Sequence, residues 1–196
     1  MDFELITTQE ELALLIEQIS DASWLALDTE FMRESTYYPK LCLIQLATES
    51  VCACIDVLAL EHIDGLLEII DDQNRIKIFH SARQDLEVIY TNYKIIPKPL
   101  FDTQIAASAL TANEQISYAE LTEQTLGIKL AKTESRTNWS KRPLTSAQIS
   151  YALDDVRYLG PVYLQLNEKL SKKQRRNWLQ EECETLTNLS YYEVNP

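Results

Sequence analysis

Trp24-Leu25-Ala26-Leu27-Asp28-Thr29-Glu30-Phe31 is the stretch that decides the fold. Its apolar opening reads as a strand buried in the middle of a sheet. Side chains alternate along a strand, so Asp28 and Glu30 leave the same face. Two like charges side by side on a central strand need compensation. A divalent cation supplies it economically, because hard oxygen ligands suit Mg2+ or Mn2+. The alternative is that both acids lie at the exposed end of the strand.

Working outward, Leu41 to Ala47 and Val51 to Val57 read as two more strands, and the short gap at Glu49-Ser50 suits a hairpin. Arg75 to Phe79 reads as a buried strand, and Leu100-Phe101-Asp102 as a short extended segment. Thr8-Gln9-Glu10-Glu11 has the form of a capping box and opens an amphipathic helix to about Ile19. Helical patterns also cover Ile63 to Ile70, Ser81 to Tyr90 and the segment ending at Leu110. Ser117-Tyr118-Ala119-Glu120 and Thr145-Ser146-Ala147-Gln148 are two further capping boxes. After the second, apolar residues at 149, 152, 156, 159 and 163 keep the helical period and predict one continuous helix. Lys129 to Pro143 is polar, basic and without apolar periodicity, which predicts a long loop. Early strands, later helices and a hairpin imply an α/β fold with a mixed sheet. Without a Pro/Gly linker or an internal repeat, residues 1–196 read as one domain.

Composition excludes several classes. The 196 residues are 45% hydrophobic and 24% charged, with three Gly and six Pro, so disorder, collagen and repeat arrays do not fit. No apolar run approaches the ~20 residues of a membrane helix. The opening MDFELITTQEEL is acidic and lacks the features of a secretory signal, so a cytoplasmic location is expected. Cysteines 42, 52, 54 and 183 lack metal-type spacing and are expected as reduced thiols. The net charge of −12 argues against a surface built throughout for polyanions. The distribution is uneven. Residues 1–128 carry 7 basic and 22 acidic side chains, net −15, whereas residues 129–176 carry 11 basic and 4 acidic, net +7. Such a basic stretch fits either a footprint for a phosphate backbone or a solvated helix face.

Two further sites involve acids. His80-Ser81-Ala82-Arg83-Gln84-Asp85 follows a buried strand and puts Asp85 on the first turns of a helix, where it is also an ordinary helix-dipole partner. Tyr151 and Asp155 are four apart on the helix opened by Thr145 and share a face, while Asp154 points about 100° away toward solvent. DTEF (28–31), HSARQD (80–85) and YALDD (151–155) together resemble the three motifs of the DEDD 3′–5′ exonuclease superfamily. The tyrosine four residues before the last acid is similar to its tyrosine branch. The histidine branch would want His where Ser150 stands. The flanks FMRESTYYPKLCLIQLAT, LFDTQIAA (100–107) and NWSKRPLTSAQISYALDDVRYL (138–159) extend the resemblance to the ribonuclease D family over roughly residues 20 to 182. That family normally carries HRDC-type helical domains after the exonuclease domain, and no such segment is expected within these 196 residues.

The resemblance implies an RNase-H-like mixed sheet flanked by helices. It implies a 3′–5′ exoribonuclease using two Mg2+ or Mn2+ ions, acting on single-stranded RNA 3′ ends in tRNA or stable-RNA trimming. Asp28, Glu30, Asp85 and Asp155 would be the ligands and Tyr151 the residue orienting the attacking water. Asp28 would bridge both ions, Glu30 and Asp155 would hold the water-side ion, and Asp85 would act mainly through coordinated water. Thr29, Phe31 and His80 are candidates for the terminal nucleotide, with Phe31 equally a core residue. Arg136, Lys141 and Arg142 are candidates for backbone phosphates, and Trp139 reads as a loop anchor. A monomer is the default expectation, with no membrane partner. Two rivals stay open: a DNA exonuclease of the same branch, since RNA is distinguished by contacts to the 2′-hydroxyl, and a non-catalytic binding module on the same fold.

Overall fold

The computed structural model describes residues 4–33, 38–111, 115–130 and 137–193. Its centre is β2 (Trp24–Met32), the strand read first from the sequence. β3 (Lys40–Ala47) pairs antiparallel with β2 and with β4 (Cys52–Ile55), forming the expected hairpin. On the other side of β2 lie β5 (Ile76–Phe79) and then β6 (Leu100–Asp102), both parallel. A two-residue strand, β1 (Leu5–Ile6), adds parallel to β4, so the order is β1-β4-β3-β2-β5-β6. This is the mixed sheet that the strand pattern implies, in the RNase-H-like form that the resemblance implies.

Alternation along β2 divides the core. Leu25 and Leu27 face α1 (Gln9–Gln18), α2 (Asp64–Asp71) and α3 (Arg83–Tyr93) in the larger cluster. Trp24 and Ala26 face the opposite layer, which contains α4 (Thr103–Leu110), α5 (Tyr118–Leu126), α6 (Ser146–Arg157), α7 (Leu159–Lys172) and α8 (Arg176–Leu186). Asp28 and Glu30 continue the Trp24–Ala26 row and therefore point at the second layer. Thr8 and Thr145 make complete capping boxes, whereas Ser117 supplies only the forward half of its box. Among the described residues no helix is long and apolar enough to cross a membrane. All four cysteines are free thiols.

One expectation is corrected. The helix predicted to run from Thr145 through 163 is two helices, α6 and α7, broken at Tyr158. The Tyr118 hydroxyl donates to the Asp154 carbonyl (3.1 Å) and accepts from the Tyr158 N–H (3.3 Å), the two groups a continuous helix would join directly. Side-chain insertion into the helix ladder is a cause of breaks, and Pro161, with no N–H of its own, adds a second. Gly160 then lets α7 lie directly on β2, because any side chain there would collide with the Trp24 indole.

Candidate active site

The site forms where β5 stops short. Pairing between β2 and β5 ends at Ala26 and Ile78, so the outer half of β2 has no strand on that side. The first turn of α3 fills the gap. Asp85 Oδ1 accepts from the Thr29 N–H (3.1 Å) and from the Thr29 hydroxyl (2.5 Å), and Asp85 is 7% exposed. On the other edge, the β2–β3 register slips between Glu30 and Phe31, so that Cys42 is the extra residue on β3. Bulges of this kind re-aim side chains beside functional sites.

Above β2, α6 brings in the third motif. Carboxylate oxygens of Asp28, Glu30 and Asp155 all lie within 4.8 Å of one another. These acids, with His80, Tyr118, Tyr151 and Leu159, line a cavity of about 190 Å3. Asp85 stands next to this trio but outside it. Burial pushes the Asp28 carboxyl well above the usual range, helped by the negative charges of Asp85, Asp155 and Glu30. Burial likewise raises Glu30 to about 8, with Asp155 and Asp85 adding to it. Asp155 is raised to about 7 by burial against the opposing pull of the Tyr151 hydroxyl. Asp85 is also raised to about 7 by burial, although its bonds from Thr29 oppose the shift. The Tyr151 phenol is raised by burial and then by Asp155, so it keeps its proton at neutral pH. A group of carboxyls that resists ionisation this strongly is short of positive charge.

The other sequence candidates divide. His80 lines the cavity, with Nδ1 2.9 Å from Thr103 Oγ1 and Nε2 3.1 Å from the Ile116 carbonyl. Its ring edge is thus committed to the protein while a face remains for a ligand, tilted against Tyr118 at 5.6 Å. Burial lowers its pKa, which favours the neutral ring. Thr29 faces the opposite side of β2, and its hydroxyl and N–H both serve Asp85, so its part is to position that acid. Phe31 is half-buried, packs against the larger core and carries Arg33 over its ring. Trp139 is buried beside Tyr151, as a loop anchor should be.

Arg142 is a correction. Nε and Nη2 donate to Asp56 at 2.5 and 2.6 Å, Nη2 also to the Cys42 carbonyl, and Nη1 to the carbonyls of Trp139 and Lys141. A guanidinium has five N–H donors. All five are used inside the protein, and none is left for a phosphate. Lys141 is exposed, and Arg136 lies outside the described residues. The basic stretch is also less unified than its charge implies. Lys169 is ten residues beyond the cavity-lining Leu159 along α7, about 15 Å at helical rise. Lys172 pairs with Glu168, and Arg175 bonds the Ala109 carbonyl.

Two contributors escaped sequence reading. Tyr118 lines the cavity and sets the end of the helix that carries Tyr151 and Asp155. Asp102, 1% exposed, accepts from the N–H groups of Ser81, Ala82, Gln104 and Ile105. It thereby caps α4 and fixes the turn between His80 and α3, where Ser81 has φ of 60°. The capping potential of an Asp before Thr103 was legible, but not its reach back to residue 81.

Fold and site together define an α/β domain with a carboxylate cleft suited to divalent cations. The profile of a family described as 3′–5′ exonuclease matches residues 3–171, and the chain belongs to that family. Among its relatives, ribonuclease D of Nitrobacter hamburgensis is 40% identical over 195 residues, covering 98% of this chain and 51% of that protein. The crystal structure of Escherichia coli RNase D superimposes with a TM-score of 0.93 at 37% identity, covering 100% of this chain and 52% of that one. The catalytic core of RRP6 from Trypanosoma brucei gives 0.85 at 27% identity, with 93% and 51% covered. The chain spans about half the length of the curated relatives it matches.

Proposed function

We propose that this chain is a divalent-cation-dependent 3′–5′ exoribonuclease that releases nucleoside 5′-monophosphates from single-stranded RNA ends. The observation that carries the reading is the convergence of Asp28, Glu30 and Asp155 oxygens within 4.8 Å. The donor set is all oxygen, which suits Mg2+ or Mn2+ over softer metals. Asp28, Glu30 and Asp155 would hold the cations, whose chemistry there would be an activated water and a neutralised leaving oxygen. Asp85, already bonded to Thr29, would act from outside the trio. Tyr151 holds its proton and therefore orients the water instead of deprotonating it.

Beside the acids, the cavity of about 190 Å3 presents His80 and Leu159 to a group approaching the carboxylates. The His80 face and Leu159 would contact the terminal nucleoside, and exposed Lys141, with Arg136, the incoming backbone. Escherichia coli RNase D is described as an exoribonuclease involved in structured RNA processing. Trimming of tRNA or other stable-RNA 3′ ends in the cytoplasm, by a monomer, is the corresponding role here. The test is digestion of 5′-labelled single-stranded RNA and a matched DNA, with Mg2+ or with EDTA. Stepwise shortening of the RNA only with the cation is expected. Faster loss of the DNA would reassign the substrate, and binding without shortening would make the chain a binding module.

A further inference from the structure

Gln45 lies in the middle of β3, directly opposite Asp28 on β2 and Cys54 on β4. Residues opposite each other in antiparallel strands project from the same face, with Cβ atoms about 4.5–5.5 Å apart. Gln45 therefore stands beside Asp28 in the row beneath α6. It is 0% exposed, and neither its Nε2 nor its Oε1 has a hydrogen-bond partner among the described residues. Other buried polar groups in or beside this sheet have partners: Lys77 Nζ donates to the Asp72 carbonyl, Asp56 accepts from Arg142, and Asp102 accepts from backbone N–H groups. An idle amide in a core destabilises the fold, and an apolar side chain of like size would remove that cost. The one neighbour across the strand that gains from an amide is the central carboxylate of the cleft.

We infer that Gln45 is a positioning residue for Asp28, donating an Nε2 hydrogen to its carboxylate when cations occupy the cleft. This rests on the cation-site reading above. A neutral donor fits the place better than Lys or Arg, because it steadies an ionised carboxylate without repelling the cations. Partners that hydrogen-bond ligating groups fix their orientation, and losing one costs about 10–100-fold in metal affinity.

The experiment measures Mg2+ binding by calorimetry and melting in EDTA for the wild type, Gln45→Leu and Gln45→Met. The expected result is opposite movement. Melting without metal stays level or rises, since an unpaired amide is removed, while Mg2+ affinity falls about 10–100-fold. Unchanged Mg2+ affinity in a folded variant would overturn the inference. So would a loss of metal-free stability in both variants, which would make Gln45 a structural residue. A wild type that binds no Mg2+ would instead remove the cation reading on which this one stands.

Discussion

Two sets of buried carboxylates share this molecule and live under opposite conditions. Asp56 and Asp102 are 2% and 1% exposed, and each is surrounded by donors: the Arg142 guanidinium for one, four backbone N–H groups for the other. Asp28, Glu30 and Asp155 are surrounded mainly by each other, and each is pushed toward its neutral form. The first set ties segments together: Asp56 anchors the loop before α6, and Asp102 joins β6, α4 and the turn into α3. The second set opposes folding until positive charge arrives. The same protein that surrounds two buried acids with donors gives these three few, the Tyr151 hydroxyl on Asp155 among them, which is the pattern expected of a functional site.

Substitutions that move an acid out of its set separate the two roles. Asp28→Asn should lower hydrolysis by about 10³-fold or more, roughly 4 kcal/mol on the barrier, by removing the central ligand. The same change should raise metal-free melting by a few degrees, because a buried carboxyl that is costly to ionise, through desolvation first and its acidic neighbours second, becomes a neutral amide. Oligonucleotide turnover and thermal denaturation in EDTA check both halves. Asp102→Ala should do the reverse, costing about 3 kcal/mol in urea denaturation by stranding buried N–H groups. Its Mg2+ affinity should change little at temperatures where it stays folded.

Tyr151→Phe should cut turnover about 100-fold with Mg2+ affinity unchanged by calorimetry, since the hydroxyl is assigned to the water. A large loss of Mg2+ binding would place the phenol among the groups that hold the cations. The smallest effect belongs to Tyr118→Phe. Loss of the hydroxyl that bridges Asp154 and Tyr158 should cost about 1 kcal/mol of stability, read from the denaturant midpoint.

Much of the cleft was legible because its signals are local. Asp28 and Glu30 two apart on an apolar strand, and Tyr151 four before Asp155 on a capped helix, state their shared faces through backbone period alone. The hairpin and most helices were legible for the same reason. What stayed hidden depends on distant partners. Arg142 reads as a free cation until Asp56, 86 residues earlier, closes on it. The break between α6 and α7 is made by a tyrosine 40 residues before the N–H it captures. Thr29 looks like a cleft residue until Asp85 comes in on the other side of β2. β1 has two residues, too few for any period.

The central claim is that the cost of burying these carboxylates together, desolvation first and mutual repulsion second, is carried by the fold and relieved by a divalent cation. Glu30, Asp85 and Asp155 titrate near 7–8 folded against ordinary values of 3.8–4.5, so the folded state binds more protons between those limits. Stability from these groups is complete below about pH 4 and lost as pH rises through 7 and 8. Lys77 and His80 are shifted the other way by burial, so their contributions rise with pH, and Lys77 lines no part of the cleft. The decisive measurement is the melting temperature in Mg2+ minus that in EDTA, followed from pH 5 to 8. The difference is expected to be small at pH 5 and to grow steadily toward pH 8 in the wild type, and to shrink in Asp28→Asn. A difference that is flat with pH, or the same in both proteins, would contradict the claim.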